Sequence, residues 1–222
     1  MKITYPFIND EHLYAQYYKQ YINVDMGVPN YDYVEKKIRF ENNLMRNMSE
    51  MCFKDFREKL LIIKSESPNA TIDLSEVIKL DIVRYHLFEN SLMNLYSILE
   101  EYLSKLCIYI ETKNGKISNT LKKSLLHNSF ITNVRYLDDN YTLNLEETIN
   151  KIKGFGLLKA RRHCLTHELG FINLLNYSKL ECDKEKIGGK IIIDDAIYGQ
   201  SSVLITLIAR VIYLTIKEHF NY

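Results

Sequence analysis

No proline lies beyond position 68, no CxxC pair occurs, and neither sign of charge prevails. The three prolines, Pro6, Pro29 and Pro68, all fall in the first third of the chain, so nothing downstream breaks a helix by removing a backbone donor. The balance of 29 Lys+Arg against 28 Asp+Glu gives a formal net charge of +1. That excludes a uniformly basic nucleic-acid-binding domain, so any affinity for RNA must come from a local patch. The four cysteines, Cys52, Cys107, Cys164 and Cys182, are too scattered for a disulfide framework or a paired zinc site. Three of them sit in helix-like apolar surroundings, where free cysteine packs as a small hydrophobe. The first six residues, Met-Lys-Ile-Thr-Tyr-Pro, lack the apolar stretch of a signal peptide. The most apolar run, residues 203–214, is broken by Arg210 and too short to span a bilayer. The expectation is a reduced, soluble, cytoplasmic chain with no membrane contact. There is no internal repeat and no low-complexity tract.

What is present is length for one core and a helical period: 222 residues with 46% hydrophobic content suffice for a single sizeable domain, residues 1–222. A first helix is predicted over residues 10–23, as an element appended to the rest, and Gly27-Val28-Pro29-Asn30 separates it from a long helix over 31–65. Ser67-Pro68-Asn69 ends that helix. Asp73 or Ser75 then caps a third, whose Val77, Leu80, Val83, Leu87, Leu92, Leu95, Leu99, Leu103 and Leu106 form one apolar stripe at i, i+3, i+4, i+7. This is the predicted spine of the fold. Asn114-Gly115 breaks it, a shorter helical stretch follows, and Leu143-Asn144-Leu145-Glu146-Glu147 opens a segment that Gly154 and Gly156 split or kink. The last helix, over 199–219, is apolar around most of its circumference, which suits either the centre of a bundle or a dimer interface. Near residues 178–194 the pattern changes: Lys186-Ile187-Gly188-Gly189-Lys190-Ile191-Ile192-Ile193 reads as a small β-hairpin about a Gly-Gly turn. The expected class is therefore all-α, an up-and-down helical bundle with a hairpin insertion.

The most informative stretch is Lys159-Ala160-Arg161-Arg162-His163-Cys164-Leu165-Thr166-His167-Glu168-Leu169-Gly170, with the spacing Arg-x4-His near the end of a helical segment. A cation holds a phosphate, and an imidazole, whose reference pKa is about 6.5, moves protons to and from the ribose 2′-hydroxyl and the leaving oxygen near neutral pH. That chemistry needs no metal and no cofactor. Residues four apart on a helix stack over one another while residues five apart diverge by about 140°. His163 and His167 thus share a face and Arg162 points away. Arg162 and His167 converge on one phosphate only if the helix ends or distorts near Thr166, or if the arginine comes from a partner chain. Gly170 suits the first route as a helix terminator.

Arg162-His163-Cys164-Leu165-Thr166-His167 resembles the Arg-polar-xxx-His signature of HEPN-domain proteins, with His163 at the polar position. The resemblance extends to an all-helical chain of this size, a motif late in a late helix, and an upstream Leu99-Glu100-Glu101-Tyr102-Leu103 that brings Glu100 to an acidic supporting position. It implies a HEPN-type bundle and a metal-independent endoribonuclease that leaves a 2′,3′-cyclic phosphate. Such proteins are usually dimers whose motifs share one cleft, and often act as toxins or phage-defence effectors beside an antitoxin or defence partner. On that resemblance His167 is the principal general base or acid, Arg162 clamps the phosphate through its planar fork, and His163 orients phosphate or a neighbour. Lys159 and Arg161 extend the substrate-binding patch. The alternative implied by the same resemblance is a non-catalytic interaction module that binds a partner protein or nucleotide.

Plainer readings compete. Lys, Arg and His are common in a last helical turn because they complement its carbonyls. His163 and His167 have the i, i+4 spacing of two zinc ligands, but HExxH is missing and Glu168 is the sole neighbouring third donor, so no metal is expected. The tyrosines at 14, 17, 18 and 21 could stack on bases, yet such a stripe is more often a packed helix face. His12, His86, His127 and His219 stand alone.

Overall fold

The computed structural model describes residues 31–66 and 74–220. The helix predicted over 10–23, the tyrosine stripe within it, Pro29, Pro68 and the cap at Asp73 lie outside the described residues. Those residues are all-helical, with seven α-helices: α1 (Asp32–Glu66), α2 (Leu74–Lys113), α3 (Asn119–His127), α4 (Phe130–Tyr141), α5 (Leu145–Asn150), α6 (Phe155–His167) and α7 (Asp195–Phe220).

α2 is the spine, 40 residues and about 60 Å long at 1.5 Å per residue. From residue 88 onward Phe88, Leu92, Leu95, Leu99, Tyr102, Leu103, Leu106 and Ile110 are buried, and α1, α3, α4, α6 and α7 all pack around it. The end at Asn114-Gly115 follows from local geometry. Gly115 takes φ +67°, the Lys116 amide donates to Glu111 O at 2.9 Å and the Gly115 amide to Thr112 O at 3.1 Å, which together close the last carbonyls of α2 in a Schellman turn. Ser118 and Ser129 cap α3 and α4 by accepting from Leu121 N and Thr132 N. α5 starts on the Asp138 carboxylate, which accepts from Leu145 N and Glu146 N at 2.7 and 2.8 Å. Gly154, at φ +91°, separates α5 from α6, so the glycine-interrupted segment is two helices.

α7 is longer than the run 203–214, because Asp194 Oδ1 accepts from Ile197 N at 2.8 Å and opens the helix eight residues earlier. By length and composition α7 is apolar enough to cross a membrane. One face, Ile205, Ile208, Ala209, Ile212 and Ile216, is buried against a core that α1, α2 and α5 complete. Val203, Leu207 and Leu214 on its other side are exposed.

The predicted β-hairpin is corrected. Residues 178–194 form turns and a 3-10 turn, Lys184–Lys186, and the one β-bridge among the described residues pairs Phe171 with Lys190. Hydrogen bonds from Ile172 N to Gly189 O (2.8 Å), Gly188 N to Ile172 O (2.8 Å) and Ile191 N to Gly170 O (2.9 Å) close a long loop at its base. Ile191 and Ile193 do alternate inward, with Ile192 exposed between them. Their would-be partner, residues 179–186, is dominated by charged side chains and offers no alternating apolar face to pair with.

Candidate functional site

α6 seats the motif because Phe155, Leu158 and Cys164 are buried along one side of it. Phe155 meets Phe130 at a ring separation of 5.9 Å, and Phe130 meets Tyr96 at 6.2 Å, so an aromatic cluster ties α6 to α2 and α4. The helix is regular through His167. It ends there because Leu169 and Gly170 both take positive φ, +53° and +80°, and the amides of Glu168 and Gly170 both donate to Cys164 O, at 3.0 and 2.9 Å. The helix thus ends one residue after Thr166 with Gly170 as its terminator, but both Arg162 and His167 lie within it, so that end does not turn Arg162 toward His167.

The two faces of α6 therefore carry different halves of the motif. Arg162 turns inward to α2, where its Nη2 lies 3.5 Å from Glu100 Oε1 and its guanidinium sits over the Tyr96 ring, 5.0 Å from the centroid. Both partners of the pair are largely covered, with side-chain exposures of 29% for Arg162 and 22% for Glu100. Glu100 Oε1 also accepts from Phe130 N at 3.4 Å, at the start of α4. Burial pushes the Tyr96 hydroxyl up to about 12, and the Glu100 charge adds to that, so Tyr96 offers Arg162 a neutral ring face. His163 and His167 are exposed with ring centroids 4.8 Å apart and planes tilted by 44°. Lys159, one turn earlier on the same stripe, is exposed as well.

Arg161 is less open to solvent than Lys159. It is half-buried, and desolvation lowers its guanidinium pKa while Glu181 and Asp194 pull the other way. Cys164, inside the motif, is no nucleophile: it is fully buried, and burial pushes its thiol up to about 11. Its Sγ lies 3.3 Å from Phe171 O, and Asn176 Nδ2 donates to the same carbonyl at 3.1 Å. These contacts draw the start of the loop back onto the end of α6, and Leu169, Leu174 and Leu175 in the segment after the motif are exposed.

Sequence reasoning paired Arg162 with phosphate alone and missed Tyr96 beneath it. The available signal was position: Tyr96 stands four residues before Glu100, on the same face of α2. It also missed Thr166, whose hydroxyl donates to Arg162 O at 2.8 Å and touches Met93 Sδ at 3.5 Å. Among the described residues no group of three or more His, Cys, Asp or Glu side chains is arranged to hold a metal ion. Comparison with protein-family models, with curated proteins and with solved structures finds no match to this chain.

Proposed function

We propose that the chain is a HEPN-like, metal-independent endoribonuclease that cleaves RNA by attack of the 2′-hydroxyl, leaving a 2′,3′-cyclic phosphate. The observation that carries this reading is the division of the motif: two solvent-facing imidazoles on α6 beside an arginine braced by Glu100 and Tyr96. The attack needs a base for the 2′-hydroxyl, an acid for the departing 5′ oxygen and positive charge on the phosphorane oxygens. His167 takes the first or second role, His163 and Lys159 hold the phosphate on the exposed stripe, and Arg162 supplies the clamp when the phosphate draws it from Glu100. Within one chain Arg162 and His167 lie on different faces of α6, so the reading includes a homodimer in which two copies of the motif face one cleft. Each copy then supplies what the other's geometry withholds, the Arg162 of one serving the His167 of the other.

The test is complementation. Arg162→Ala and His167→Ala proteins should each be inactive on RNA alone, and mixing them should restore a fraction of wild-type cleavage. Failure to recover activity, or a strictly monomeric protein by light scattering that nevertheless cuts RNA, would refute the composite site. Toxicity on expression should depend on both residues, as befits a toxin or phage-defence effector.

A second reading is favoured by one observation, the exposure of Leu169, Leu174 and Leu175 in the segment that follows the motif: a non-catalytic HEPN-like module that docks an antitoxin or defence partner there. Harmless expression of the wild type, with no cleavage of any RNA, would select it.

A further inference from the structure

We propose that His163 and His167 form a chelating site for a borderline divalent cation of the zinc class, and that its occupation switches the motif off. The pair lies on one face of α6, one turn apart, with both rings in solvent and centroids 4.8 Å apart. Zinc binds imidazole nitrogen at about 2.0–2.1 Å. A shared ion therefore needs the two nitrogens about 3 Å apart, which rotation about the exposed side-chain torsions reaches from this spacing with no change in the backbone. Two neutral imidazoles and no carboxylate cage select metals that favour nitrogen, such as Zn(II), Cu(II) and Ni(II), over Mg(II) and Ca(II), which require oxygen ligands. No third protein donor completes the set among the described residues, so the remaining positions stay with water and the ion is exchangeable, as suits a sensor more than a structural metal.

The consequence follows from where the lone pairs go. An imidazole nitrogen donating to a metal cannot accept a proton from a 2′-hydroxyl, so an occupied pair loses its base. The binding claim stands on the geometry alone; the inhibitory consequence rests on the nuclease reading above.

Calorimetric titration of the full chain with zinc chloride, in a non-chelating buffer, tests the site without reference to activity. The expected result is one zinc per chain, binding weakened at least tenfold by His163→Ala and by His167→Ala, unchanged binding in His127→Ala, and no heat with magnesium. Wild-type-like binding in either motif variant, loss of binding in His127→Ala, or equal affinity for magnesium would overturn the site. Because both histidines are exposed, the variants should retain the wild-type melting temperature, so loss of binding is not loss of fold. In a parallel cleavage assay, activity should fall in step with zinc occupancy and return on adding EDTA. Undiminished cleavage at saturating zinc would refute the switch. A wild type that cuts no RNA in EDTA would defeat the nuclease reading while the titration still decides the metal site.

Discussion

Removing the Glu100 carboxylate should loosen Arg162 and lower stability by a modest, calculable amount. The Arg162–Glu100 pair is 3.5 Å long and about a quarter exposed on either side, so it belongs near the upper end of the surface range, about 0.5–1 kcal/mol. The same oxygen accepts from Phe130 N at 3.4 Å, a long bond that adds about 0.5 kcal/mol. Alanine in place of glutamate returns a few tenths through helix propensity. The net cost of Glu100→Ala is then about 1 kcal/mol, which for a chain of this size lowers the melting temperature by about 2–4 °C. Glu100→Gln keeps an acceptor for Phe130 N and loses only the charge, so it should fall between alanine and wild type. Thermal unfolding followed by circular dichroism, run as a double-mutant cycle with Arg162→Ala, isolates the pair and should give a coupling of about 0.5–1 kcal/mol. If the two changes add to within about 0.3 kcal/mol, Arg162 is not held by Glu100 and the bracing argument fails. In cleavage kinetics, Glu100→Gln should cost less than about tenfold while Arg162→Ala costs about 10²–10³, the usual loss for one donor to developing phosphate charge.

Three other expectations concern the scaffold. Asn133 is fully buried and donates to Ser104 Oγ and Leu125 O at 3.0 and 2.9 Å while accepting from Asn128; Asn133→Leu should therefore cost about 2–4 kcal/mol, read from denaturant midpoints, and a cost under about 1 would show the network to be dispensable. Tyr102 Oη is buried with no hydrogen-bond partner among the described residues, so Tyr102→Phe should leave the melting temperature unchanged or raise it, and a fall of several degrees would contradict that environment. Burial opposes the Glu101 charge, but hydrogen bonds from Lys105, Lys37 and Tyr33 outweigh it and hold the carboxyl at about 2, against 4.5 for the free group. A folded-state pKa below the unfolded value contributes stability that is present above about pH 5 and lost as the pH falls toward 2. Since the side chain is 39% exposed, screening leaves about 1–2 kcal/mol of it, and Glu101→Gln should flatten that acid limb of a stability–pH curve.

How much of this was legible in the residues depended on the range of the interaction. The long helices after residue 31 and the breaks at Asn114-Gly115 and Gly154 follow from local chemistry, a 3.6-residue apolar period and glycines where positive φ is needed, and they appear where expected, while the one short stretch expected after Gly115 is two helices, α3 and α4. The divergence of Arg162 from the His163/His167 face follows equally from helical geometry. The resemblance named Glu100 as a supporting residue, but that Arg162 turns toward it and toward Tyr96, some sixty residues upstream, depends on the packing of α6 on α2. The hairpin misreading has the same origin. Ile191 and Ile193 alternate as strand residues do, but alternation also serves a loop that pins two side chains into a core, and only the charged character of residues 179–186 hinted that no partner strand would form.

The most direct measurement incubates wild-type, Arg162→Ala and His167→Ala proteins with total and transfer RNA in excess EDTA and analyses the product ends. The account predicts cleavage by the wild type alone, with 2′,3′-cyclic phosphate termini and a loss of about 10²–10⁴ in rate for His167→Ala. Cleavage that survives loss of His167, or that requires a divalent metal, would contradict it.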